Sequence, residues 1–235
     1  MRFIKLICCI ALIITTVSFK QSDNARSKAI NNDEIVSGLK EALKIGTDSA
    51  VARLNKTDGY FRDAVVKILF PPDFVRVEKY IRKTLPASAS SLDDVVMKMN
   101  RAAEAAATEA KPIFVNAITG ITIADGLNIL KSSDSIAATK YLRTSTEASL
   151  KALYKPKIQT AMTKAGVQQA WQKIASVYNP VSRFIGEKKI PTDISDYVTA
   201  KALDGLFIKV GQEEARIRKD PVARVTTLLK KIFGF

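Results

Sequence analysis

GLFIKVGQEEARIRKDP, residues 205–221, is the stretch that decides how the chain folds. On a wheel of 3.6 residues per turn, Leu203, Phe207, Val210 and Ile217 share one side, and Glu214 fills the gap between Val210 and Ile217. The stretch is an amphipathic helix with an acid on the side that should be buried. Such an acid needs a partner, since a buried carboxylate is tolerated only when paired or hydrogen-bonded. Arg218 stands four residues on, in the favourable orientation for an ion pair. Asp220 and Pro221 then end the helix, forming an N-cap and first-turn pair for another.

The same periodicity runs outward through most of the chain. Ile35, Leu39, Leu43, Gly46, Ala50 and Leu54 predict one long helix starting near Asp33, bent at Gly46 to Thr47, with Gly46 admitting a close neighbour. Phe74, Val77, Tyr80 and Ile81 give a short helical stripe. Leu92 to Ala110 is an alanine-rich helix, interrupted at Pro112, and Thr122 caps a further one with Asp125 three positions on. Thr144 and Glu147 have capping-box spacing ahead of a helix that kinks or restarts at Pro156 and stops at Gly166. Val167 to Tyr178 is another helix, followed by an exposed connection over residues 179–192 that carries Lys188 and Lys189. Val222, Val225, Leu229 and Ile232 make a final amphipathic helix. Only VVKILFPP, residues 65–72, reads as extended. The expected class is all-α: a compact multi-helix bundle of roughly eight to ten helices with little or no β.

The N-terminal segment reads differently. Arg2 and Lys5 precede an apolar run from Leu6 to Phe19, the layout of a secretory signal peptide, with Thr16 and Ser18 as the small residues before a cleavage site. The run is shorter than the roughly twenty residues a membrane-spanning helix needs. The expected organisation is a signal peptide over residues 1–18, a flexible leader over 19–32 and a single helical domain over 33–235. Cys8 and Cys9, the only cysteines, lie in the first of these segments. The exported part would then hold neither a disulfide nor a thiolate and would rest on its core alone. Export is the expectation this segment carries.

Four stretches, DEIVSGLKEALKIGTDSAV, MNRAAEAAATEAKPIFVNAI, DSIAATKYLR and DYVTAKALDGLFIKVGQEEARIRKDPVARVTTLLKKIFG, resemble in that order the bacterial domain-of-unknown-function 4197 family. The resemblance covers nearly everything after the leader and implies an exported helical protein, expected in the periplasm or cell envelope of a bacterium. It implies no activity for any residue.

Chemistry is narrowed mostly by elimination. The sequence has no histidine, which removes the usual general base and serine-histidine triads, and the cysteines' position removes the common zinc sites. No glycine-rich phosphate loop and no GxGxxG is found. Ser37 and Lys40 have the SxxK spacing of penicillin-acylating enzymes, but the spacing is common by chance, and Lys56-Thr57 is followed by Asp58 where glycine is needed. Carboxylates remain. Asn100, Glu104, Asp204, Glu214 and Arg218 form the candidate polar cluster, read first as arginine-paired ties between helices and second as a carboxylate-dependent hydrolase or lyase site. No metal site and no cofactor is expected, while the hydrolase or lyase reading would admit a divalent cation on oxygen ligands.

Lys and Arg number 37 against 23 acids, so the surface at +14 attracts polyanions and acidic membranes. The cations are scattered and only 7% of residues are aromatic, which disfavours nucleic acid. Arg224, Lys230 and Lys231 on the last helix are candidate membrane-facing residues, although its apolar side equally suits closing the bundle. The leading expectation is a non-catalytic binding or scaffolding protein whose partner is an envelope ligand or protein of unknown identity. A peripheral membrane protein acting through its basic C-terminal helix is the alternative from another class.

Overall fold

The structure is a computed structural model that describes residues 31–84 and 89–233. Among the described residues there are nine α-helices and no strand: α1 (Asn32–Leu54), α2 (Val75–Thr84), α3 (Ala89–Ala106), α4 (Ala110–Thr119), α5 (Ile123–Lys131), α6 (Ala137–Ala165), α7 (Val167–Ser182), α8 (Ser195–Lys219) and α9 (Thr227–Phe233). The protein is all-α.

Local chemistry accounts for many of the boundaries. Asn31 caps α1 by accepting the Glu34 N–H at 2.7 Å, and Asp33 and Glu34 sit at its positive end. Thr122 caps α5 through the Asp125 N–H, as its sequence predicts. Gly166 stops α6 in the left-handed conformation, φ 69°, that glycine adopts freely. The break between α3 and α4 falls just before Pro112, over Ala107–Glu109, which tighten into a 3-10 turn. Pro112 has no N–H to offer four residues back, so the α-helical ladder fails ahead of it.

The helices pack around α8, which lies against α1 on one side and α6 on another; α3 bridges α6 and α7. Gly46 is where α1 meets α8: a Cβ there would stand 3.5 Å from the Glu213 Cβ. One core joins these elements, with Leu39, Leu92, Phe114, Leu142, Ile158, Val198 and Leu206 all buried. Phe70, Phe74 and Trp171 cluster with ring centroids 4.7 to 5.9 Å apart, and Phe114 meets Phe207 edge-on at 5.3 Å. No single helix among the described residues is long and apolar enough to cross a membrane.

α1 is one continuous helix from Asn32 to Leu54. Three expectations are corrected. Residues 65–71 form no strand: Val65 and Val66 lie in a turn, and the chain from Lys67 to Pro71 has no regular structure before Pro72 opens a 3-10 helix. Thr144 and Glu147 lie inside α6, where Glu147 pairs with Arg143, and Pro156 sits within the same helix. The spacing of a capping box is thus met by a mid-helix i,i+4 ion pair. Beyond Pro221 the chain makes a 3-10 turn, Pro221–Ala223, before α9 begins at Thr227. Val222 and Val225 are left exposed, while Ala223 and Leu229 are buried against Ala42 and Ile217.

Two aspartates at the ends of α5 and α6 give a pH prediction. Hydrogen bonds from Thr122 and Tyr141 hold the Asp125 carboxyl below its ordinary range, and Lys140 with the Ile136 N–H does the same for Asp134. A depressed carboxyl contributes stability above the unfolded value of about 3.9, and that contribution is lost as pH falls through the lower folded value. Carboxyl-carbon NMR titrations of both groups should have midpoints below about 3.9; midpoints at or above it would contradict these hydrogen bonds.

Candidate functional site

The irregular segment from Asn55 to Pro71 is held in place by side chains of two helices. A chain without regular structure has no ladder for its backbone polar groups, so the buried ones are met by turn hydrogen bonds, such as Val66 N–H to the Asp63 carbonyl at 3.2 Å, or by side chains. α3 supplies them. Glu104 Oε1 accepts the N–H groups of Tyr60 and Phe61, both at 3.1 Å. Asn100 Oδ1 accepts the Ile68 N–H at 2.8 Å, and its Nδ2 donates to the Ile68 carbonyl at 2.8 Å and to the Val96 carbonyl at 2.7 Å. Arg101 joins the set by donating to Glu104 and to Asp58, both at 2.6 Å. Asn100 and Glu104 are both buried.

α8 holds the other side. Tyr60 is fully buried, and its hydroxyl donates to the Ala202 carbonyl at 2.8 Å. Burial, and then the nearby Tyr154 and Glu104, push this phenol well above its ordinary value. The Tyr197 hydroxyl donates to the Leu69 carbonyl at 2.9 Å. Two glycines make these approaches feasible. A Cβ at Gly59 would come within 2.5 Å of the Arg53 carbonyl oxygen, and one at Gly205 would come within 2.5 Å of the Tyr60 ring. Gly205→Ala is expected to cost about 1–3 kcal/mol by overpacking, and to cost less in a Tyr60→Leu background, where the ring it meets is gone. Urea titrations of the single and double variants check this, and equal, additive losses would contradict the contact.

The outward side of the segment is apolar and cationic. Val65 is 61% exposed and Leu69 57% exposed, with Lys67 between them stacked over the Phe61 ring, 4.2 Å from its centroid. They border a groove of about 490 Å³ completed by Arg143, Lys201, Asp204 and Ile208. Burial works against ionisation of Asp63, but the Lys209 ammonium and the Val65 N–H outweigh it and hold the carboxyl below its ordinary range.

The candidate cluster is therefore three clusters. Asn100 and Glu104 come together through the clamped segment. Asp204 stands at the groove edge, bonded to Arg143 and, at 3.4 Å, to Lys201. Glu214 and Arg218 are elsewhere: Glu214 lies ten residues along α8 from Asp204, about 15 Å at helical rise. Its oxygens accept the Ala138 N–H at 3.0 Å, the Thr139 N–H at 2.8 Å, the Thr139 hydroxyl at 2.7 Å and Arg218 Nε at 3.0 Å. Glu214 thus caps α6 from a different helix, at the positive end of its dipole. Arg218 also donates to the Ile129 carbonyl at 3.3 Å, which ties in α5. The neighbouring Glu213, also buried, pairs with Arg53 at 2.6 Å and Arg216 at 2.7 Å.

The other singled-out residues have local roles. Lys40 donates to the Thr119 carbonyl at 2.8 Å, linking α1 to the end of α4, while Ser37 is exposed. Arg224 donates to the carbonyls of Ile217 at 3.1 Å and Arg218 at 2.9 Å, satisfying the C-terminal end of α8. Lys230 is exposed, and the side chain of Lys231 lies outside the described ones. Among the described residues no three acids or other ligating side chains stand together in a way that would hold a metal ion. Tyr60, Arg101, Tyr197, Gly59 and Gly205 are the members of the site that sequence reading did not single out. A glycine inside a helix, costing about 1 kcal/mol against alanine, was the available signal for Gly205.

No match to this chain was found among curated proteins or among solved structures. A family model described as a protein of unknown function, DUF4197, matches residues 29–234. With nearly its whole length covered by that model, the chain belongs to the DUF4197 family.

Proposed function

We propose that the protein is an exported binding protein of the bacterial cell envelope that works without catalysis of its own. The observation that carries this reading is the clamped segment. Buried Asn100 and Glu104 commit their hydrogen bonds to fixing an irregular stretch inside an otherwise helical protein. The stretch displays Val65 and Leu69 to solvent beside a groove. Irregular segments held rigid by a scaffold are where binding residues concentrate, and a fixed surface loses less entropy on binding than a mobile one.

The acids that sequence reading offers for chemistry support the same reading, because each is engaged in a tie: Glu104 to the segment, Asp204 to Arg143, and Glu214 to α6. Export rests on the charged, then apolar, N-terminal stretch. A photo-crosslinking residue placed at position 65 or 69 in cells should yield a discrete adduct in the envelope fraction, and the same residue at exposed position 163 on α6 should not. Recovery of the chain in the cytosol would contradict export. Equal, diffuse labelling from all three positions would contradict a binding surface.

A further inference from the structure

α7 has two sides, and only one is explained by the core. Val167, Trp171, Ile174 and Tyr178 face inward and are buried. Val177, Val181 and Phe184 recur at spacings of four and three on another side, continuing from the helix into the 3-10 turn Arg183–Ile185. They are 50%, 38% and 89% exposed, and Phe184 is the most exposed large apolar side chain described. Single exposed apolar residues are ordinary, but a stripe of three ending in a nearly free aromatic ring is an unpartnered face.

α7 and the turn after it carry charge of one sign, while Asp73 and Glu187 border the adjacent groove with Lys188 and Lys189. From Ala148 to Gly186 the sequence contains six lysines and arginines and no acid. Lys173 lies one turn before Val177, Arg183 adjoins Phe184, and Lys188 and Lys189 follow on the exposed connection. Among the described residues none of these four cations pairs with a carboxylate, whereas Lys155 and Lys157 further back in the same stretch are bound to Asp196 and Glu109. The first acid, Glu187, is drawn off by Arg76 at 3.5 Å.

The geometry points to a docking face for an anionic lipid surface at the end of α7, with Phe184, Val181 and Val177 entering the acyl boundary and Lys173, Arg183, Lys188 and Lys189 meeting head groups. The face ends in the Phe184 ring, 89% exposed beyond the last turn of α7, and such a projecting apolar group suits a deformable bilayer. Apolar insertion flanked by lysine and arginine is the physical pattern of interfacial membrane binding. This site is independent of the clamped segment and requires only an accessible bilayer, which an envelope location supplies.

Sedimentation with vesicles of phosphatidylcholine alone, and with one third phosphatidylglycerol, tests it on the protein as recovered from cells, its N-terminus fixed by mass spectrometry. Binding is expected on the anionic vesicles, weaker on the neutral ones, and reduced by raising salt from 50 mM to about 0.5 M. Phe184→Ser should lower partitioning about tenfold, as expected for losing one inserted aromatic side chain. Lys188→Ala with Lys189→Ala should remove most of the preference for anionic lipid. All these positions are exposed, so thermal midpoints should stay unchanged and loss of binding cannot be ascribed to unfolding. The proposal is overturned by absence of binding to anionic vesicles, or by partitioning that Phe184→Ser leaves intact. It is also overturned if Phe184→Ser dissolves a dimer instead, or if binding follows Lys230 and residues 227–235 and ignores α7.

Discussion

Glu214→Ala is expected to destabilise the protein by about 3–5 kcal/mol, the range for removing one partner from a buried ion pair. For a domain of this size that lowers the thermal midpoint by about 10 °C. The loss has two sources. Arg218 loses the Glu214 carboxylate, and the first turn of α6 loses the acceptor for its Ala138 and Thr139 N–H groups. The two separate by substitution. Glu214→Gln keeps a carbonyl oxygen for the helix end and should retain part of the stability. Arg218→Met leaves the carboxylate with three donors from α6 and should cost less than Glu214→Ala. An unchanged midpoint in Glu214→Ala would mean that the acid is solvated and that α6 starts without it.

Glu104→Ala is the second large effect, about 2–6 kcal/mol, because the buried Tyr60 N–H and the part-buried Phe61 N–H lose their acceptor at about 1–3 kcal/mol each. The consequence is regional. The amides of Tyr60 and Phe61 should lose hydrogen-exchange protection, while those of the middle of α6 keep theirs, since regions of a protein open in separate units. Glu104→Gln should lose less, retaining one acceptor. A uniform loss across the molecule would contradict a local clamp and make Glu104 a core residue of the whole fold.

Glu214 shows how far sequence carries and where it stops. Its place on the apolar side of α8 and its pairing with Arg218 both follow from helical spacing. Its larger role does not, because the donors belong to Ala138 and Thr139, more than seventy residues away in sequence. The same distance explains the misplaced start of α6: a helix capped from another element shows no cap of its own, and a local Thr144–Glu147 pattern stood in for it. Alanine-rich α3 and the cap of α5 were legible because their causes are local. The tail was not, since Val222 and Val225 continue a helical period in sequence while Arg224 turns the chain back onto the α8 carbonyls.

The candidate site divides in the same way. Asn100 and Glu104, four apart on one helix, were found together by spacing. Asp204 and Glu214 are also on one helix, but ten residues place them at different levels, so a shared carboxylate pocket does not form. What the spacing could not convey is that the partners of Asn100 and Glu104 are backbone groups of a turn-rich segment. Backbone donors leave no mark in a sequence.

The most direct test of the central claim, that α3 fixes the segment from Asn55 to Pro71 through buried polar side chains, is native-state hydrogen exchange at the amides of Tyr60, Phe61 and Ile68. The structure predicts protection comparable to that of core helix amides, lost at Ile68 in Asn100→Ala and at Tyr60 and Phe61 in Glu104→Ala. Exchange of all three in the unaltered protein at the rate of unstructured chain would contradict it.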